Sequence, residues 1–318
     1  MWLFNLLFKY SSTGSPVLGL LDRSPSLAWS DSIGATQSAW LLQDLGVDLT
    51  IDNGQVIDND ELYVKTLFGV KTLAARTLTP DERSALRTLR TDVNGPLKLL
   101  SNVQRSQALP ELLALSRRPN TTTRDIAECV ARDPLLLAEC LRIANTAFSN
   151  RICRIKSIEK ALNLMGVAVA REVCVRALLM PVFEGQTGCQ SGIAAPIVWR
   201  QSEHCADAMM LRRPPGMSEF EAYMAGLFAH TGAVVLMRML DVWKFSGQAE
   251  LSRHFFDEFQ VLSAYLSVRI ATHWGLPENV LVTLRDRHAY LTKGAAGEAN
   301  LLHRVDQFAR TQVCVWPN

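Results

Sequence analysis

The chain has 318 residues, enough for one large domain or two ordinary ones, and its 48 % hydrophobic and 20 % charged residues exclude extensive disorder. With 33 basic and 31 acidic side chains the formal charge is +2, which leaves no electrostatic footprint for nucleic acid. Seven cysteines (Cys129, Cys140, Cys153, Cys174, Cys189, Cys205, Cys314) are odd in number and lack C-x-x-C spacing, so reduced thiols in a cytoplasm are expected, not disulfides or a zinc site.

The opening "MWLFNLLFKY" is apolar, but Lys9 breaks it and it is too short to cross a bilayer. It is expected to dock on the core, and no other run reads as a membrane span. Turn-rich "SSTGSP" and "DRSPSLAWSDSIG" follow. Asn53-Gly54 between β-leaning flanks then predicts a hairpin near 49–57. "DNDELYVKTLFGVKTLAARTL" and "TPDERSALRTLR" read as helices, the second opened by Thr79, with Pro80 in its first turn and Glu82 three residues after the cap. Residues 1–92 therefore form an expected N-terminal module, small and mixed α/β or irregular, without recognisable chemistry.

From residue 93 the pattern turns helical. Thr122 is a candidate N-cap with Asp125 three residues on, and Ile126, Cys129 and Val130 share a face. Pro134 opens a helix with Leu137, Cys140, Leu141 and Ala144 at i, i+3, i+4, i+7. In "KSIEKALNLMG" Ser157 caps and Gly166 closes a helix bearing Ile158, Ala161, Leu162 and Met165. "FEGQTGCQSGIAAP", residues 183–196, is the main break, with a second helical group beginning near Trp199. A looser loop, "DVWKFSGQAE", interrupts that group. Phe259, Leu262, Leu266 and Ile270 line a later helix, and Leu302, Val305 and Phe308 give the tail, residues 291–318, a helical face. The fold class predicted is all-α.

The stretches "LPELLALS", "ARDPLLLAECLRIANTAF", "IKSIEKALNLMGV", "WRQSEHCA", "AGLFAHTGAVVL" and "THWGLPENV" together resemble the HDOD domain, a bacterial signalling module related to HD-type phosphohydrolases. The resemblance covers residues 93–290. It implies two packed helical subdomains, about 93–182 and 196–290, and work as an interaction platform, often in cyclic di-GMP circuits. The residues that carry the motif are Asp133, Pro134, Asn145, Ser157, Gly166, Trp199, Gln201, Ser202, Ala229, His230, Gly232, Trp274, Pro277 and His288. Asp133 before Pro134 is suited to cap a helix, and the amide of Asn145 to satisfy backbone in the next loop. Trp199, Trp274 and Pro277 are expected to wedge helix ends together.

Relatives that hydrolyse phosphate esters hold metal ions with an early His, an adjacent His-Asp pair and a later Asp, because imidazoles and carboxylates together bind a cation that lowers the pKa of water. Here the early His falls on Gln201 and the pair on Ala229-His230, while Asp286 and Asp207 are the carboxylates nearest the motifs in sequence. The resemblance thus implies no catalytic residues, no metal and no cofactor, but signalling proteins as partners. Two other readings stand: a divergent metal-dependent HD-type phosphohydrolase using His230 and His288, with His204 beside them, and a sensor holding a nucleotide without turnover. Neither a nucleophile elbow nor a phosphate-binding Gly-rich loop is present.

Overall fold

The computed structural model describes residues 51–52, 55–56, 59–95, 108–118, 120–147, 155–183, 188–245, 249–293 and 300–315. A short hairpin, β1 (Ile51–Asp52) and β2 (Gln55–Val56), pairs Ile51 with Val56, at the expected place. The expected docking of "MWLFNLLFKY" lies outside the described residues. Then come α1 (Asn59–Phe68), β3 (Thr72–Ala74), α2 (Pro80–Asn94), α3 (Ala108–Arg117), α4 (Thr123–Ala131), α5 (Pro134–Ala147) and α6 (Ile158–Phe183). The second group is α7 (Cys189–Leu211), α8 (Glu219–Phe228), α9 (Thr231–Val242), β4 (Glu250–Ser252), α10 (Arg253–His273), α11 (Glu278–Lys293) and α12 (Leu301–Val315). The fold is all-α, as the periodicity requires.

Local chemistry sets the helix starts. Thr79, Thr122 and Ser218 each accept from the backbone amide three residues on, while Glu82, Asp125 and Glu221 reach back to the cap amide. Asp133 Oδ1 accepts from Leu136 N at 3.1 Å and so caps α5. Asn145 works as a clamp: its Nδ2 donates to Leu141 O and Ile155 O, both at 2.8 Å, and its Oδ1 accepts from Ile155 N at 2.7 Å. Ser157 accepts from Lys160 N at 3.4 Å, a long contact.

Three expectations change. The run "DNDELYVKTLFGVKTLAARTL" is not helical throughout: its helix ends at Phe68, Gly69 takes φ 66°, and Thr72–Ala74 forms β3. Gly166, by contrast, at φ 78° and ψ 164°, closes the first half of α6 as expected, and a second helical half follows it. α7 begins at Cys189, ahead of Trp199, because Pro196 near its start removes only one intrahelical bond. The run Glu219–Val242 is long and apolar enough for a bilayer by composition, contrary to the sequence reading, but 83 % of its most apolar window is buried inside the fold.

α3 to α6 pack together as one group and α7 to α11 as another, with α6 also touching α8 and α9. α1 and α2 belong to the second group: α1 lies against α7 and α12, α2 against α10. β3 pairs in parallel with β4, Leu73 opposite Leu251, and the buried Glu82 accepts from Ser252 N at 2.8 Å. Described residues of the expected N-terminal module therefore share a core with the helical domain. α12 does the same, burying Leu302, Val305, Ala309 and Val313 at helical spacing.

Candidate functional site

The junction of α8 and α9 is the place to look, since Ala229 ends one helix and His230 precedes the next. Two features hold it still. Gly232 sits so close to α10 that a Cβ there would meet Ser263 O at 2.1 Å, and its amide donates to Ser267 Oγ at 2.9 Å. Ser267 Oγ in turn donates to Ala229 O at 3.0 Å. Trp274, buried at the end of α10, meets Phe228 edge-to-face with centroids 5.5 Å apart.

His230 is buried and points at a carboxylate that sequence reasoning missed. His230 Nε2 lies 2.8 Å from Asp306 Oδ1, and Asp306 comes from α12, in the stretch read as a tail. Gln201 Nε2 donates to the same Oδ1 at 2.5 Å, and Gln201 Oε1 accepts from Tyr63 Oη of α1 at 2.5 Å. The amide orientation is fixed by that pair of partners. On the other side of the ring, Ser202 Oγ stands 3.3 Å from His230 Nδ1. A neutral imidazole that donates from Nε2 to the carboxylate leaves Nδ1 facing the Ser202 oxygen, whose proton goes to Val198 O at 2.8 Å.

Asp306 Oδ2 faces two cations. Arg287 Nη2 is 2.8 Å away and Arg310 Nη2 2.9 Å, both from side chains about as buried as the aspartate. Arg287 Nη1 also donates to Ala229 O at 3.2 Å. Arg310 donates to Gln260 Oε1, and its guanidinium lies over the Tyr63 ring, 4.9 Å from the centroid. Burial alone raises the Asp306 pKa, but Arg310, Arg287 and His230 outweigh it and hold the carboxyl well below the usual range. Burial pushes His230 down, Asp306 opposes that, and the two arginines reinforce it, so the ring is neutral.

Cys205 Sγ, a His230 ring nitrogen and an Asp306 oxygen all lie within 4.8 Å of one another. By residue type these are metal donors, yet the arrangement does not fit a divalent cation. Both Asp306 oxygens are taken, two guanidiniums stand where a cation would feel the carboxylate, and burial with the Asp306 charge keeps the Cys205 thiol protonated.

Among the described residues the three-histidine grouping of the phosphohydrolase alternative is not assembled. His288 sits against the Tyr265 ring at 5.4 Å, half-buried, while His204 is exposed, and neither belongs to the His230 cluster. Asp286 is exposed on α11 and does not serve the site, nor does Asp207 join it. Trp199 is buried at the α6–α7 contact, where Phe183 meets its ring at 4.8 Å and the Arg176 guanidinium lies 4.9 Å from its centroid. Pro277 is buried, and its carbonyl accepts from Val280 N at 3.0 Å, while Pro134 is exposed at the start of α5. Asp133, Asn145, Ser157 and Gly166 act on the first helical group and do not reach the cluster.

The family model for the HDOD domain matches residues 104–290. A candidate metal-dependent phosphohydrolase from Shewanella amazonensis SB2B superposes with a TM-score of 0.50 at 13 % identity, over 76 % of this chain and 86 % of its own. An HDOD domain protein of unknown function from Geobacter sulfurreducens gives a TM-score of 0.48 at 17 % identity, over 73 % and 77 %. A candidate signal-transduction protein from Marinobacter aquaeolei VT8 gives 0.46 at 17 %, over 72 % and 54 %. No curated protein sequence matches at a significant level. Tyr63, Asp306 and Arg310 lie outside the matched 104–290, so flanking helices complete the cluster at its centre.

Proposed function

The chain belongs to the HDOD domain family, and from that premise we propose that it is a non-enzymatic regulatory module that works by binding a signalling protein. The carrying observation is the Asp306 carboxylate clasped by Arg287 and Arg310. Hydrolytic chemistry at this junction needs a cation that activates water, and a cation needs unpaired anionic donors. The carboxylate of the grouping is already paired with two guanidiniums. Gln201 and Ala229 stand where imidazoles would be required. The protein acts in the cytoplasm on this reading, in keeping with free cysteines, four of them buried. Circuits that make, break or sense cyclic di-GMP are the first place to seek its partner.

The test is metal content and turnover of the purified full chain after exposure to manganese, iron or zinc and removal of loose ion. We expect no stoichiometric metal and no hydrolysis of bis(p-nitrophenyl) phosphate above background. One retained ion per chain, with turnover lost in His230→Ala, overturns the proposal in favour of the phosphohydrolase reading. Calorimetric titration with cyclic di-GMP addresses the sensor reading: saturable heat makes the nucleotide the signal, in place of a protein partner alone.

A further inference from the structure

Three hydrogen-bond donors of the family domain converge on one point. His230 Nε2 and Gln201 Nε2 donate to Asp306 Oδ1 at 2.8 Å and 2.5 Å, and Arg287 Nη2 donates to Oδ2 at 2.8 Å. The donors belong to the α8–α9 junction, α7 and α11, all within residues 104–290, whereas the carboxylate belongs to α12, beyond that match. Each donor is positioned by a contact that does not involve α12. Tyr63 Oη fixes the Gln201 amide, Ala229 O accepts from Arg287 Nη1, and Gly232 with Ser267 holds the turn that carries His230. The convergence is therefore set without α12. A guanidinium on one oxygen and two N–H donors on the other make a cradle for a carboxylate. The helix that fills the cradle docks by an apolar stripe of Leu302, Val305, Ala309 and Val313, all buried. That stripe needs no charge at its middle, yet Asp306 is wholly buried there. Burying a paired charge adds little net stability, because desolvation offsets the pairing, and the best use of such a group is to select a register or a state. Arg310, one turn along α12 and 2.9 Å from Asp306 Oδ2, comes and goes with the helix.

We infer that Gln201, His230 and Arg287 form a carboxylate-binding pocket, that Asp306 is its resident ligand supplied in cis, and that α12 is a strap which this ligand latches over the His230 junction. Release of the strap uncovers the pocket for a carboxylate from outside the chain. This rests on the non-enzymatic reading above, in which the junction binds and does not hydrolyse, and it gives that binding a ligand class.

The experiment is hydrogen exchange by mass spectrometry, with thermal melting, on three full-length proteins: the parent, Asp306→Ala, and Asp306→Ala with Arg287→Leu. Each is measured in sodium formate and in sodium chloride at equal ionic strength. In chloride, the amides of 301–315 in Asp306→Ala are expected to exchange about tenfold faster or more than in the parent, with α9 and α10 unchanged. Formate takes the place of the lost carboxyl, so in Asp306→Ala it is expected to slow that exchange and to raise the melting temperature saturably. It is expected to do neither in the parent, whose pocket is filled, nor in the double variant, whose pocket lacks the guanidinium. Formate that acts no better than chloride on Asp306→Ala overturns the pocket. Exchange in 301–315 that rises only together with α9 and α10 overturns the strap. Should Asp306→Ala not fold in chloride, its recovery or failure in formate decides the pocket, and the parent in sub-denaturing urea decides the strap: 301–315 opening ahead of α9 and α10 supports it, and opening with them overturns it. None of these readouts depends on metal or turnover, so failure here leaves the non-enzymatic reading standing.

Discussion

Asp306 reaches from the C-terminal helix to within 2.8 Å of His230, 76 residues earlier in the chain. The contact closes a circuit, because the same carboxylate holds Gln201, Arg287 and Arg310. Removing its charge takes from Arg287 and Arg310 the buried carboxylate that both contact. Asp306→Asn is therefore expected to cost about 3–5 kcal/mol, the range for breaking a buried pair by loss of one partner. Urea denaturation of the parent and variant measures it. A cost under about 1 kcal/mol, the level of an exposed pair, means that the ionic circuit is not formed in solution.

The imidazole at the centre of this circuit predicts how stability responds to acid. Burial holds the His230 pKa below its ordinary 6.5, with Asp306 opposing and Arg287 and Arg310 assisting. The unfolded chain then binds a proton more readily than the folded one, so this residue's contribution is whole above about pH 6.5 and shrinks as pH falls toward its folded value. Glu172 and Asp207 act in the reverse sense: burial pushes them up to about 7 and about 6, and their contributions shrink as pH rises through those values. Comparison with His230→Gln cancels those carboxylates. The advantage of the parent over the variant is expected to narrow from pH 7 to pH 5, read from denaturation midpoints; a constant gap refutes a buried neutral His230. Asp306, held well below its usual range, acts in a lower window: its contribution is whole above about pH 4 and shrinks below it.

The fold was largely legible, because helical periodicity and capping chemistry are local. Thr79 with Glu82, Thr122 with Asp125, and Asp133 before Pro134 announce helix starts that the structure contains. What stayed hidden depends on distant packing. Asp306 sits amid "LLHRVDQFAR", where its one signal was a lone carboxylate on the apolar face of a helix, beside Leu302, Val305 and Ala309. An acid at such a place needs a buried partner, and that partner is named only once α12 is laid against α7. The alternative grouping of His230, His288 and His204 could not be judged from sequence for the same reason: residue type gives chemistry, but not which helix faces point together. Gly166 was legible too: its positive φ ends the helix that starts at Ile158, and a second helical half follows directly.

Asn145 offers a test in the first helical group. Its amide makes two bonds with Ile155 and one with Leu141. Alanine removes all three and leaves the Ile155 backbone groups without them, so Asn145→Ala is expected to cost about 1–3 kcal/mol. Asp133→Ala removes the cap bond to Leu136 N and is expected to cost about 1 kcal/mol. Equal melting temperatures for both variants and the parent, together with loss of a partner, would turn these positions into a binding surface.

A last test concerns how the α6–α7 junction is held. Asp241, at the end of α9, places its carboxylate at the start of α7, where Gln190 N donates to Oδ1 at 2.6 Å and Ser191 N to Oδ2 at 2.8 Å. The helix has no cap side chain of its own, since Gly188 occupies that place, so the carboxylate is borrowed from another helix. Gly188 is required by the closeness of that approach: a Cβ there would lie 1.9 Å from Asp241 Oδ2. Gly188→Ala is expected to destabilise by about 1–3 kcal/mol through overpacking, and Asp241→Ala by about 1–2 kcal/mol through the lost cap. Because the alanine at 188 does its damage by displacing the Asp241 carboxylate, the double variant should cost less than the sum of the two. Additive costs in a double-mutant cycle would show that the alanine acts elsewhere.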